Sequence, residues 1–353
     1  MRRMTKLAAV ASVVALVLAS AGCAKKNTDS DSAGGSGDKC AKKDAKKMVG
    51  MAFDVGGRGD QSFNDSAATG LDKAACEYGL TAKTSEAADG EAESAREGRL
   101  REFADAGFNP IVAVGFAYSA SVAKVAKEYP KVNFAIIDDE AAKAGNIANL
   151  VFAEEQGSYL VGAAAALKSK KNYVGFVGGV ETPLIQKFEA GFAAGAKAAK
   201  PDIKIDVRYL TQPPDFSGFG DPAKGKTAAE GMFDKGADIV YHAAGGSGGG
   251  VFEAAKAANG KAIGVDSDQA KTADSSVRDV IMTSMIKKLD VAVYEYLKAD
   301  DGGDTPKGVT RYDLKADGVG YSTTGGQVDD IKDQLEDYKK KIVDGDTKVP
   351  ATP

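Results

Sequence analysis

From Lys47 onward, short apolar runs alternate with helix-patterned segments, and this alternation restricts the fold more than any single motif. The runs "MVGMAFD" (48–54), "PIVAVG" (110–115), "NFAIID" (133–138) and "IANLVF" (147–152) are continuously apolar rather than apolar at every second residue. Strands of that kind are buried on both faces, as in a parallel sheet covered by helices. The spacing predicts helices over 62–78, 91–106 and 117–129, with "LTAKTS" (80–85) a further strand. A second set follows: helix 155–167, "YVGFVGG" (173–179), helix 184–199, "DVRYL" (206–210), helix 222–235, "DIVYHAA" (238–244), helix 250–259, "KAIGVD" (261–266) and "VIMTSM" (280–285). A helix over 287–299, an extended stretch over 308–323 and a helix over 327–343 close the chain. Two such sets predict an α/β protein of two doubly wound parallel-sheet domains. Ligands of open parallel sheets sit beyond the carboxyl ends of the strands. Those ends carry Asp54, Gly115, Asp138, Gly178, Gly179, Ala244, Gly245, Gly246 and Asp266, so carboxylates and glycines collect where a ligand would be held.

The first 46 residues read differently. Arg2, Arg3 and Lys6 precede an apolar run over 7–20, too short to span a bilayer comfortably and suited to a signal-peptide core. The run ends "LASAGC" (18–23), which resembles the bacterial lipoprotein cleavage box, with Ser20 where that box usually has leucine. The resemblance implies a leader over 1–22, cleavage before Cys23, and acyl chains on that thiol that hold the protein at a membrane surface. Residues 23–46 are polar and carry glycine and serine, the composition of a flexible tether. Cys40 and Cys76 then remain as an even pair in an oxidising compartment and are expected to form a disulfide. With a single histidine and no CxxC, a zinc site is not expected. The formal net charge is −4 with both signs mixed throughout, which gives no basic stripe for a nucleic acid.

"DVGGRGDQSFNDSAATGL" (54–71) resembles the opening signature of the basic membrane protein family, the purine nucleoside receptor A-like lipoproteins of ABC importers. The likeness continues in "IVAVGFAYSASVAKVAKEYPKVNFAIID", "FAEEQGSYLVGAAAAL", "VGFVGGVETPLIQKFEAGFAAGAK", "DPAKGKTAA", "YHAAGGSGGGVFEAAKAA" and "GVDSDQ", over about 47–345. It implies a type I periplasmic-binding-protein fold, with two lobes joined by three crossovers and a hinge that closes on ligand in the cleft. The crossovers are expected near 152–155, 283–286 and 305–310. The first lobe would hold 47–153 and 286–307, the second 154–285 and 308–345. The implied function is capture of a nucleoside outside the cell and its delivery to an ABC permease and its ATPase. The protein would be monomeric and lipid-anchored on the extracytoplasmic face, with no cofactor, metal or reaction. A sensor of the same fold, or an importer receptor for a sugar-like ligand, would share most of these residues.

Within that resemblance, Phe63 at a helix start can offer its ring to a flat base, and stacking of this kind is worth about 1–3 kcal/mol. Asn64 beside it has an amide suited to a purine edge. Asp54 and Asp266 are placed to accept from ribose hydroxyls, and Asp138 to accept from the ring N–H of the base. Lys287 reaches for the sugar, and Gly245 and Gly246 allow close backbone approach. Phe216 or Phe219, with Phe219 preferred, would cover the other face of the base. Asp139, Asp268 and Lys288 are sequence neighbours that could take the roles of Asp138, Asp266 and Lys287. Ser62 and Asp65 read as a capping pair, and His242 as a structural residue of a buried strand.

Two motifs invite other chemistry. "GDPAKGKT" (220–227) satisfies GxxxxGK[ST], the phosphate-cradling pattern, but follows a proline-containing loop rather than a strand. Pro222 also removes an N–H that such a cradle uses, so a helix start with proline near its first position is expected instead. "GGSGGG" (245–250) follows a strand and opens a helix, yet Val251 stands where the third glycine of GxGxxG belongs. No Ser/His/Asp set is legible around the lone His242.

Overall fold

The computed structural model describes residues 47–353. The expected leader and tether, with Cys23 and Cys40, lie outside the described residues. Cys76 is disulfide-bonded. No helix among the described residues is long and apolar enough to cross a membrane.

The chain runs β1 (Met48–Phe53), α1 (Phe63–Tyr78), β2 (Thr81–Glu86), α2 (Glu93–Asp105), β3 (Ile111–Ala113), α3 (Ser119–Glu128), β4 (Phe134–Ile137) and β5 (Ile147–Phe152). It continues through α4 (Glu154–Lys168), β6 (Tyr173–Val180), α5 (Pro183–Ala199), β7 (Lys204–Thr211), α6 (Pro222–Asp234), β8 (Ile239–Ala243), α7 (Gly248–Ala257) and β9 (Lys261–Asp266). It ends with α8 (Gln269–Thr272), β10 (Ile281–Lys287), α9 (Leu289–Asp301), β11 (Gly308–Tyr312), β12 (Val319–Tyr321) and α10 (Lys332–Val343).

Two six-stranded sheets form, in the orders β11-β5-β4-β3-β1-β2 and β12-β10-β9-β8-β6-β7. All pairings are parallel except β12 against β10. In the first sheet Val49, Met51 and Phe53 pack on one side with Leu71 of α1 and Val293 of α9. Ala52, Ile111 and Phe134 face the other side, with Leu100 and Phe103 of α2 and Val122 of α3. Burial on both faces is why these strands read as unbroken apolar runs.

The strand order reverses direction between β1 and β3 in one sheet and between β6 and β8 in the other. At such switch points the connections leave toward opposite faces, and a crevice opens at the carboxyl edge. Asp54 and Gly115 stand at the first crevice, Gly178 and Gly245 at the second.

The chain passes between lobes after Phe152, after Lys287 and after Tyr312. The last crossing corrects the expected boundary, because 308–312 pairs with β5 and belongs to the first sheet, not the second lobe. The stretch read as one extended piece breaks at a turn in which Gly318 N donates to Asp313 O at 2.8 Å. β11 is a half-exposed edge strand, so no apolar run marked its sheet.

Candidate functional site

A pocket lies between the lobes, a concave place of the kind where small ligands bind. The first lobe lines it with Asp54, Asp60, Phe63, Asn64, Phe116 and Asp138, the second with Ile185, Phe188, Phe219, Gly245, Asp266 and Lys287 among others. Eight of the nine expected ligand residues are in that wall; Gly246 is not, although its neighbour Gly245 is.

The floor of the first lobe is built on Asp60. Its carboxylate accepts from the backbone N–H groups of Ser62 (3.0 Å), Asn64 (2.8 Å) and Asp65 (3.1 Å) and from Asn64 Nδ2 (3.1 Å). An acid at this place satisfies the orphan N–H groups of a helix start and its positive dipole end. Ser62 therefore does not cap α1. Its hydroxyl instead lies 2.9 Å from Asp266 Oδ2 and 3.1 Å from Val265 O in the second lobe. Phe63, the first residue of α1, is left half-buried in the pocket wall.

Asn64 is placed at the pocket but is largely spent on the protein. Its Oδ1 accepts from Asp54 N at 3.2 Å, and its Nδ2 donates to Asp60 Oδ2 and to Val55 O at 3.4 Å. One lone pair of Oδ1 remains for a ligand, a smaller role than the donor-and-acceptor edge expected from sequence. Gly115 (φ +103°) lies against Asp54, where an added Cβ would fall 2.4 Å from Asp54 Oδ2.

Asp138 and Asp266, one from each lobe, are nearly buried and sit at positive φ (65° and 62°) just beyond β4 and at the end of β9. Such backbone is strained for a residue other than glycine, and strain of this kind concentrates at functional sites. Each carboxylate keeps one buried oxygen, Oδ1, with no hydrogen-bond partner. Burial raises Asp138 to about 7 against the pull of Lys287, and raises Asp266 in the same way. Burial likewise lifts Asp54 and Asp60 to about 6.

The ammonium of the buried Lys287 lies 2.5 Å from Asp138 Oδ2 and 3.3 Å from Glu154 Oε1. It also sits 5.2, 5.0 and 5.5 Å from the ring centres of Phe63, Phe152 and Phe188. Burial alone would lower this lysine; Asp138, Glu154 and Asp266 outweigh it and hold the lysine raised and charged. One ammonium among three carboxylates leaves surplus acceptors, which suits a neutral ligand rich in N–H and O–H donors and opposes an anionic one.

The neighbouring candidates separate by geometry. Asp139 accepts from Ala142 N at 2.7 Å in a turn. Asp268 takes Thr324 Oγ1 and Lys271, and Lys288 pairs with Asp317. Phe219 faces the pocket, whereas Phe216 packs edge-on to Phe116 with ring centres 5.9 Å apart. His242 is a core residue, lowered to about 4 by burial and bonded through Nε2 to Gln269 Oε1 at 3.0 Å. In "GDPAKGKT", Asp221 Oδ1 caps α6 by accepting from Lys224 N, and Lys226 pairs with Glu253. A Cβ on Gly225 would meet Ser247 O at 2.1 Å, so that glycine serves the close packing of α6 on the turn before α7. Asp60, Phe116 and Phe188 were missed from sequence. Phe116 had a signal, an aromatic just past a strand-end glycine; Phe188 is one apolar residue among many on an amphipathic helix and had none.

Two doubly wound lobes with a pocket between their switch points, lined by rings and carboxylates, define a solute-binding protein of the type I periplasmic-binding class. The family model for PnrA-like ABC transporter substrate-binding proteins (Bmp) matches residues 47–353, and the chain belongs to that family. It is a binding protein, not an enzyme. An ABC transporter nucleoside-binding protein of Lactococcus lactis is 34% identical, over 97% of this chain and 99% of its own. An uncharacterised lipoprotein of Pyrococcus abyssi is 32% identical, over 90% and 77%. A solved ABC-transporter solute-binding protein of Aeropyrum pernix superposes with a TM-score of 0.75 at 29% identity, covering 86% of this chain and 94% of that one. A Geobacillus stearothermophilus arabinose-binding protein, 15% identical, covers 83% and 99% with a TM-score of 0.59, a likeness of fold alone.

Proposed function

We propose that this ABC-transporter binding protein captures a nucleoside with a purine base, outside the membrane, and hands it to a permease driven by its ATPase. The observation that carries the reading is the meeting of two features in one pocket. Phe63 and Phe219 stand on opposite lobes, and the unpartnered oxygens Asp138 Oδ1 and Asp266 Oδ1 are buried beside them. The rings suit a flat heterocycle. The carboxylates suit the donors of a base edge and of ribose, with Asp54 a third acceptor and Gly245 a close backbone approach. The name of the L. lactis relative supports the ligand class. Anchoring through acylated Cys23 and action as a monomer complete the proposal, and the P. abyssi relative's description as a lipoprotein supports the anchor.

The test is calorimetric titration of the soluble chain from about residue 40, freed of bound ligand, with inosine, guanosine, adenosine, cytidine, uridine, ribose and inosine monophosphate. Tight binding of purine nucleosides, weak binding of ribose and rejection of the monophosphate are expected. Binding of ribose alone would move the assignment to a sugar, and heatless titrations with every nucleoside would overturn it.

A further inference from the structure

Lys287 occupies a place that ligand binding alone does not require. It is the last residue of β10, where the chain crosses between lobes for the second time. Glu154, its second carboxylate, is the first residue of α4, just past the first crossing, and is almost wholly buried. Phe152, whose ring centre lies 5.0 Å from the ammonium, ends β5 at that same crossing. Phe152 in turn stacks on Tyr312, the last residue before the third crossing, with ring centres 5.2 Å apart and planes at 26°. One ammonium thus sits at two of the crossovers and reaches the third through the Phe152–Tyr312 stack, while Asp138, its other partner, belongs to the first lobe and to the ligand pocket.

We infer that Glu154 is a positioning residue that competes with Asp138 for Lys287, and so sets how readily the two lobes close. With the lobes together, Lys287 is shared between Asp138 at 2.5 Å and Glu154 at 3.3 Å. When the lobes part, the Asp138 contact stretches and breaks, and the ammonium falls back on Glu154 beside it at the hinge. Glu154, with Asp266 of the same lobe, thereby removes much of the cost of opening, since a buried ammonium left with too little counter-charge is strongly unfavourable. Lys187 moderates the competition from outside: its ammonium is 3.6 Å from the other carboxylate oxygen of Glu154. The inference rests on the pocket being the ligand site but not on the ligand being a nucleoside.

The test is small-angle X-ray scattering of the unliganded soluble chain, with the radius of gyration as the readout and thermal melting as a fold check. Glu154→Gln takes the fallback partner away, so the unliganded chain should become more compact and shrink less when inosine is added. Asp138→Asn takes the closing partner away and should expand it. Lys187→Gln, at a partly exposed position, frees Glu154 to hold Lys287 harder and should also expand it, which keeps the test alive if Glu154→Gln fails to fold. A merely structural Glu154 would lower the melting temperature without moving the radii in opposite directions. Unchanged radii in the variants, or expansion in Glu154→Gln, overturns the inference. Failure of the wild type to respond to inosine, with the variant radii shifted as stated, sinks the nucleoside assignment and leaves this one standing.

Discussion

Replacing Phe63 by alanine separates a stacking ring from a structural one. The ring lines the pocket from the first residue of α1 and lies 5.2 Å from the Lys287 ammonium. The helix start itself hangs on backbone N–H groups held by Asp60, none of which the substitution touches. The helix should therefore persist. If a base lies against this ring, its loss removes about 1–3 kcal/mol of stacking, which at about 1.4 kcal/mol per tenfold raises Kd for inosine roughly 5- to 150-fold. Ribose, which has no base, should bind the variant and the wild type nearly alike. Because the side chain is only half-buried, the cost in stability should fall below the roughly 3–5 kcal/mol of a fully buried Phe→Ala. Titration of both ligands with both proteins decides the matter. Equal losses for inosine and ribose, or an unchanged inosine Kd with a lowered melting temperature, would mean that Phe63 only packs α1 onto its surroundings.

Other expectations follow from the same geometry. Gly115→Ala puts a Cβ 2.4 Å from Asp54 Oδ2 at a backbone (φ +103°, ψ +147°) that costs other residues about 1–3 kcal/mol; inosine affinity should drop at least about tenfold by calorimetry if Asp54 is a ligand acceptor. Lys226→Ala should leave inosine affinity unchanged and no ATP binding should be found by titration, whereas Gly225→Ala should lower the melting temperature, since its Cβ would meet Ser247 O at 2.1 Å. Burial lifts Asp54 and Asp60 to about 6 and Asp138 to about 7 from 3.8, so between about pH 4 and 7 the folded chain keeps protons that the unfolded chain has released. Stability present at low pH is therefore lost as the pH rises through 6 to 7. His242, held at about 4 against 6.5, pulls the other way as a single group. The unliganded protein should accordingly melt at a higher temperature at pH 5 than at pH 8 in a calorimetric scan, and a midpoint that climbs from pH 5 to 8 would refute this account of the carboxylates.

The residues that line the pocket were legible in sequence where they are local to a strand end. Asp54, Asp138 and Asp266 stand at or just past the ends of buried strands, and a carboxylate there has few uses besides capping a turn or meeting a ligand. The sequence was silent where the decision depends on which partner arrives from elsewhere. Nothing in "IIDD" says that Asp138 turns into the pocket while Asp139 takes the N–H of Ala142. Ser62 looked like a cap, and its hydroxyl crosses to the other lobe because Asp60 already holds the helix start. Asn64 looked like a free amide, and Asp54, Val55 and Asp60 engage it. The edge strand 308–312 carried no mark of its sheet, since an edge exposed on one side needs no apolar run.

What the sequence by itself determined is the set of local units: which segments are buried strands, which are helices, and that two similar groups of them stand in series. Those properties follow from the periodicity of apolar residues and the placement of glycine and proline, and each is settled within a few neighbours along the chain. Tertiary structure alone decided the partnerships at the crossovers and in the pocket. Lys287 meets Asp138 across 149 positions of sequence and Glu154 across a similar span, and Phe219 comes to share a pocket with Phe63. Such pairs are set by the closing of two sheets on one another, a collective result of burying both faces of each, and no short window of residues contains it.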